Sequence, residues 1–290
     1  MALFINLRAS PVGGIVAAEA HAWENGVLVR PEEFAQRVAG RNLVLATHGF
    51  NVNQAHGLQA LSVWSTRCEL PPSYLFVGVL WAGDSKYLPI IDYVYEGVEA
   101  IQSGRLLARY LNQNATRAES LAFTSHSLGA RMVLETIRGL DAGPRKIMLM
   151  APAIESDCLA REYHDAAQKV SDRIYVLASR RDAVLQLAFP MGNLIGEIVM
   201  HGHPYNRTAL GREGPARPLP GDVKATSWQI PDGWDYGHLD YLPGAAIGGP
   251  VLPPKDGPGP DDPVPVDTGN PATQPWKPSW SAGAVSEELP

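Results

Sequence analysis

Short apolar runs bounded by polar or turn-forming residues recur along this chain: LFINL (3–7), NLVLATHG (42–49), YLFVGVLW (74–81), SLAFTS (120–125), KIMLMAP (146–152) and RIYVLAS (173–179). Several carry polar residues only at their ends, the pattern of strands buried on both faces of a parallel sheet. Between them, apolar positions recur at helical spacing in 53–69, 92–113, 127–140 and 157–170. Strands alternating with helices of these lengths predict right-handed βαβ units, hence an α/β fold with a mostly parallel central sheet and helices on both faces. A last strand is expected over VKATSWQI (223–230), after an irregular stretch rich in Gly, Pro and Arg.

From about residue 244 the periodicity stops. GGPVLPPKDGPGPDDPVPVDTGNPATQPWKPSW is dense in Pro and Gly, which divides the chain into a domain over 1–243 and an extended tail over 244–290. Trp276 and Trp280 give that tail a means of packing along the body or on a second copy, so a homo-oligomer through the tail stays open.

Composition narrows the classes. With 290 residues, 45% of them hydrophobic, the chain can bury a large core. A net charge of −6 without a basic run argues against nucleic acid and anionic membrane surfaces as partners. Cys68 and Cys158 lie far apart without metal-ligand spacing and read as reduced, buried thiols. The stretch MALFINLRAS lacks a basic n-region, and its apolar run is too short for a signal peptide. AVLQLAFPMGNLIGEIVM (183–200) is interrupted by Gln186, Pro190, two glycines and Glu197, so it reads as a buried or lid-like segment and not a membrane span. The expectation is a soluble, cytoplasmic protein.

The candidate chemistry begins at FTSHSLGAR (123–131), where a strand pattern passes into a helical one. In sheets of this kind functional groups gather beyond the carboxyl ends of the strands. A serine on a sharp strand-to-helix turn needs small residues two positions to either side. Ser127 has Ser125 and Gly129 there; Ser125 has Phe123 and Ser127, and a phenyl ring does not fit. Ser127 is therefore the candidate nucleophile, its plainer alternative being a helix N-cap.

On these residues the sequence resembles the α/β-hydrolase superfamily. SHSLG is similar to the nucleophile elbow G-x-S-x-G, departing from it in Ser125 at the first glycine. THGFN (47–51), directly after the strand NLVLA, is similar to the family's oxyanion loop, and the resemblance implies that the N–H groups of Phe50 and Leu128 form the hole. The family's acid follows one of the two strands after the elbow helix, which offers Asp157 or Asp182. Asp157, beside Ser156 at the start of a helical segment, suits a cap, and Asp182 is preferred, although it too precedes a helical pattern and could cap it. The order Ser, acid, His leaves His201, His203 and His238; His238 comes shortly after the last strand and is preferred. His201 and His203 have the spacing of two metal ligands but no partnering cluster. His126 is expected to point away from Ser127 as a packing residue, while His21, His56 and His164 join no constellation.

More specifically, HGFN, SHSLGAR, MAPAIESD and LASRRDAVL, in that order over about residues 40–240, resemble a bacterial branch of α/β-hydrolases catalogued as a domain of unknown function. The implied chemistry is acyl transfer: His238 deprotonates Ser127, Ser127 attacks a carbonyl, the Phe50 and Leu128 amides hold the oxyanion, and Asp182 orients the imidazole. No metal or organic cofactor is required. Serine at the elbow disfavours the epoxide hydrolases and dehalogenases of the fold, which use aspartate there. The expected activity is that of a carboxylesterase or lipase-like enzyme on a small-molecule ester or acyl substrate. Thioester or amide cleavage, acyl transfer to an alcohol, and a hydrolase-like binding protein without catalysis stay open. WAGDSKYLPIIDYVY (81–95) and 183–200 could line an acyl pocket or be ordinary core.

Overall fold

Every apolar run named above forms a strand. The computed structural model describes residues 3–68, 70–84, 89–187 and 208–241. The strands are β1 (Leu3–Arg8), β4 (Asn42–Thr47), β5 (Tyr74–Leu80), β6 (Ser120–His126), β7 (Lys146–Met150), β8 (Arg173–Ala178) and β9 (Ala225–Gln229), joined by β2 (Val16–Glu24) and β3 (Val27–Val29). They make a sheet of order β3-β2-β1-β5-β4-β6-β7-β8-β9. All neighbours from β1 to β9 pair in parallel, and β2 pairs antiparallel with β1 and β3.

Alternate residues of each strand enter two separate cores, as the two-residue period requires. Ile5, Leu7, Leu43, Leu45, Phe123, Ile147 and Val176 face helices α1 (Pro31–Val38), α3 (Pro89–Asn114), α4 (Gly129–Gly139) and α5 (His164–Lys169). Phe4, Ala46, Phe76, Met148 and Leu177 face the other way, against Leu61 and Trp64 of α2 (Gln54–Arg67) and against Ile230, Tyr236 and Tyr241. Helices therefore cover both faces. The helical run 127–140 is split between α4 and the turn that precedes it.

Two features differ from the sequence expectation. The β2–β3 hairpin was not anticipated, because most apolar positions of VAAEAHAWE are alanine and the strand stays half exposed near the sheet edge. Its turn is Asn25-Gly26, both at positive φ (51° and 78°), the two-residue geometry that suits a twisted hairpin. The segment 157–170 is not one helix: a 3-10 turn at Cys158–Ala160 is followed by α5, and the break seats the Tyr163 ring 4.5 Å from the Arg138 guanidinium.

Cys68 and Cys158 are both buried and free, and burial raises both thiols, Cys68 to about 12. No described helix is long and apolar enough to cross a membrane. The tail over 244–290 with Trp276 and Trp280, most of 183–200, His201, His203 and part of 81–95 lie outside the described residues. Of the described part of 81–95, Trp81 is fully buried core.

Candidate active site

The chain leaves β4 toward β5 on one side and returns as β6 on the other, so the strand order reverses between β4 and β6. In open α/β sheets the binding crevice forms at such a reversal, beyond the carboxyl ends of the strands. The loop 48–53 leaves β4 at this point and the turn 127–128 leaves β6, with Thr47 and Ser125 directly in register.

Ser127 sits at φ +53°, in the left-handed region that non-glycine residues rarely adopt. Its main chain is held from both sides. The Ser127 amide donates to Met150 O (3.0 Å), and its carbonyl accepts from Ala130 N (3.1 Å) and Ala153 N (3.2 Å). The MAPAI segment after β7 thus braces the turn, a function its sequence does not advertise. Leu128 is the N-cap residue of α4 and makes no side-chain cap bond, so the serine is not spent on capping. Its hydroxyl instead meets His238.

His238 Nε2 lies 2.8 Å from Ser127 Oγ, and His238 Nδ1 lies 2.7 Å from Asp182 Oδ2. A ring nitrogen facing a carboxylate oxygen must carry the proton, which leaves Nε2 to accept from the Ser127 hydroxyl. Asp182 is fully buried, and its second oxygen accepts from the Leu185 amide (2.9 Å). Both readings of Asp182 therefore coexist: one oxygen caps the helical turn 183–187 and the other faces the imidazole. Asp157 lies elsewhere, at the N-cap of the 3-10 turn without a side-chain cap bond, 3.6 Å from Arg161 Nη1.

The loop after β4 fits closely against the turn. A Cβ on Gly49 would stand 2.9 Å from Ser127 Cβ, and one on Gly129 would stand 2.5 Å from His48 O. Both positions need glycine for close approach. His48 is buried and desolvated, and its imidazole is pushed down to about 4. Neutral, it spans Gly49 O (2.9 Å, from Nδ1) and the Trp81 amide (3.3 Å, to Nε2), while the Trp81 indole donates to His48 O (2.8 Å). Phe50 follows, partly buried against the core, and the Leu128 amide is the first peptide N–H beyond Ser127, at the positive end of α4.

Sequence reasoning missed the parts played by two groups, one bracing this loop and one bracing the loop that carries His238. Arg8, at the end of β1, is buried and paired with Asp84, which also accepts from the Gly13 amide (2.8 Å). The Arg8 guanidinium donates to Trp81 O (2.7 Å) and Val52 O (3.3 Å), and the Val52 amide donates to Gly83 O (3.2 Å). The other group is His126. It is buried, its ring lies 4.8 Å from that of His238, and its Nε2 lies 2.6 Å from His238 O. Burial and the nearby His238 push it down to about 3. His21, His56 and His164 lie outside this cluster, and His164 faces Asp222 at the surface (3.2 Å). Among the described residues no group of three His, Cys, Asp or Glu side chains could hold a metal ion.

The family model described as "Alpha/beta hydrolase of unknown function (DUF900)" matches residues 31–218. No curated protein matches the sequence. Among solved structures, an uncharacterized protein from Bacillus cereus ATCC 10987 is similar at 15% identity and a TM-score of 0.41, over 70% of this chain and 55% of that one. The chain thus spans little more than half the length of that protein. A predicted CIB-like hydrolase from Thermoplasma acidophilum aligns at 14% identity and a TM-score of 0.38, over 74% of this chain and 82% of that one. Esterase B from Lactobacillus rhamnosis aligns at 12% identity and a TM-score of 0.36, over 70% of this chain and 69% of that one.

Proposed function

We propose that this chain, which belongs to the α/β-hydrolase family of unknown function DUF900, is a serine hydrolase that cleaves small carboxylic esters through an acyl-enzyme. The observation that carries this reading is the unbroken sequence of contacts from Ser127 Oγ through His238 to the buried Asp182 (2.8 and 2.7 Å), mounted on a positive-φ turn.

In this reading His238 Nε2 takes the Ser127 proton as Oγ attacks the ester carbonyl. The forming imidazolium is stabilised by Asp182, which has fixed the tautomer beforehand and keeps its own charge. The carbonyl oxygen becomes an oxyanion beside the peptide amides of Phe50 and Leu128 and the positive end of α4. The protonated imidazole then passes its proton to the departing alkoxide, and the alcohol leaves. Water enters, His238 takes its proton as the hydroxide attacks the acyl-serine, and the acyl–Oγ bond then breaks to release the acid while His238 returns that proton to Ser127 Oγ. Every proton has a resident carrier, so these steps require no metal or organic cofactor.

A series of p-nitrophenyl esters from acetate to palmitate tests the reading and measures the acyl preference. The wild-type chain should turn over the short members. Asp182→Asn should lower kcat by about 10⁴, the cost of the wrong imidazole tautomer in such a triad. Asp157→Asn should leave kcat unchanged. Loss of activity in Asp157→Asn with retention in Asp182→Asn would move the acid to the earlier strand and contradict the assignment.

A further inference from the structure

The imidazole of His238 is carried on the loop 235–241, which belongs to no strand or helix, yet it must meet two groups on two other loops at hydrogen-bond distance. Something has to fix the loop's main chain. Within the loop the Gly237 amide donates to Asp240 Oδ2 (2.6 Å), and two hydrogen bonds, one on each side of Gly237, tie the main chain to the neighbouring loops. Ser179 Oγ donates to Tyr236 O (2.6 Å), and His126 Nε2 lies 2.6 Å from His238 O. Ser179 also accepts from the Arg181 amide and, through its carbonyl, from the Asp182 amide (both 3.2 Å), so the first bond ties the histidine loop to the loop that carries the acid. His126 directly precedes Ser127, so the second ties the histidine loop to the turn that carries the serine.

We propose that His126 is a positioning residue for His238: its Nε2–H, donated to the His238 carbonyl, sets the register between the serine turn and the histidine loop. The inference rests on the serine-hydrolase reading of this site. A carbonyl oxygen only accepts, so the contact requires a proton on Nε2. Buried as it is, His126 stays neutral around pH 7 and has one N–H to give. A neutral ring also adds no charge opposing the imidazolium that forms 4.8 Å away. A residue that packed only by shape, as the sequence led us to expect, would need neither nitrogen.

Two measurements on the full chain decide this. In protein carrying ¹⁵N-histidine, long-range ¹H–¹⁵N spectra near pH 7 should show His126 protonated at Nε2 and bare at Nδ1. A proton on Nδ1 alone would remove the donor and overturn the proposal whether or not any variant folds. In p-nitrophenyl butyrate hydrolysis, His126→Phe keeps a ring of similar size but loses the donor, and kcat should fall by about 10- to 100-fold, the scale of an ångström-level misplacement, with KM unchanged. His126→Gln, which can place an N–H near the same point, should recover most of the loss. Equal kcat for wild type, His126→Phe and His126→Gln would overturn the proposal. A wild-type chain that cleaves no ester would count against the ester reading instead, and the tautomer of His126 would still decide this one.

Discussion

At Ser127 the backbone is held at φ +53°, a conformation that costs a residue with a Cβ roughly 1–3 kcal/mol and persists because Met150, Ala130 and Ala153 bind its peptide groups. The strain points the hydroxyl outward from the strand end, toward His238. Neighbouring positions divide sharply in what they tolerate. Ser125 Oγ is buried and has no hydrogen-bond partner among the described residues, so Ser125→Ala removes an unpaired hydroxyl. It should leave ester turnover unchanged and raise the urea midpoint slightly; a drop of more than about 1 kcal/mol, the scale of one lost hydrogen bond, would mean that the hydroxyl has a partner after all. Gly49→Ala does the opposite, forcing a methyl to 2.9 Å from Ser127 Cβ. Turnover should fall about 100-fold, and wild-type kcat in that variant would show that the loop yields freely. These residues were legible because small size at fixed offsets is a sequence property. Position along the chain singled out Asp182, and the helical pattern after it suggested a cap; that one carboxylate both caps 183–187 and faces His238 appears only in space. His126 read as packing because the carbonyl it faces is 112 positions away.

Among the elements, the loop 48–53 depends on a residue from a different strand. Arg8 and Asp84 are buried together, and the guanidinium holds the carbonyls of Trp81 and Val52. Removing one partner leaves the other charge buried and uncompensated, at a cost of about 3–5 kcal/mol. Arg8→Met should destabilise by that amount in urea unfolding, and adding Asp84→Leu should restore part of it. A double variant no more stable than Arg8→Met would show that the main-chain bonds of Arg8 matter and the charge pair does not. Nothing in the sequence marks this pair: one arginine ends a strand, one aspartate follows another, and 76 positions separate them. The strands, by contrast, were legible almost to their ends, because burial on both faces leaves continuous apolar runs. The hairpin was missed although Asn25-Gly26 is a strong turn signal, since its alanine-rich strand carries little apolar contrast. The break before α5 has no signal in the helical periodicity of 157–170.

Over the whole molecule, the sheet order places the loop after β4 and the turn after β6 side by side where the winding reverses, and the alternation of runs in the sequence anticipated that architecture without specifying the order. Two buried histidines couple the fold to pH. His48 and His126 are pushed down from 6.5 to about 4 and about 3, chiefly by desolvation. The unfolded chain takes up protons at these positions below its higher pKa while the folded chain does not. Their contribution is therefore full above about pH 6.5 and is lost as pH falls from there toward 4, by about 2 kcal/mol per histidine at pH 5. Urea midpoints should fall between pH 7.5 and pH 5; a flat profile would mean that one or both rings are solvated in the folded state. The fold, however, decides only where a nucleophile would sit. Whether Ser127 is that nucleophile is decided by treating the full chain with a fluorophosphonate, which bonds to an activated serine, and mapping the adduct by peptide mass spectrometry. The adduct should lie on Ser127, persist in Ser125→Ala and vanish in Ser127→Ala. An adduct on Ser125, or undiminished labelling of Ser127→Ala, would contradict the serine-hydrolase assignment.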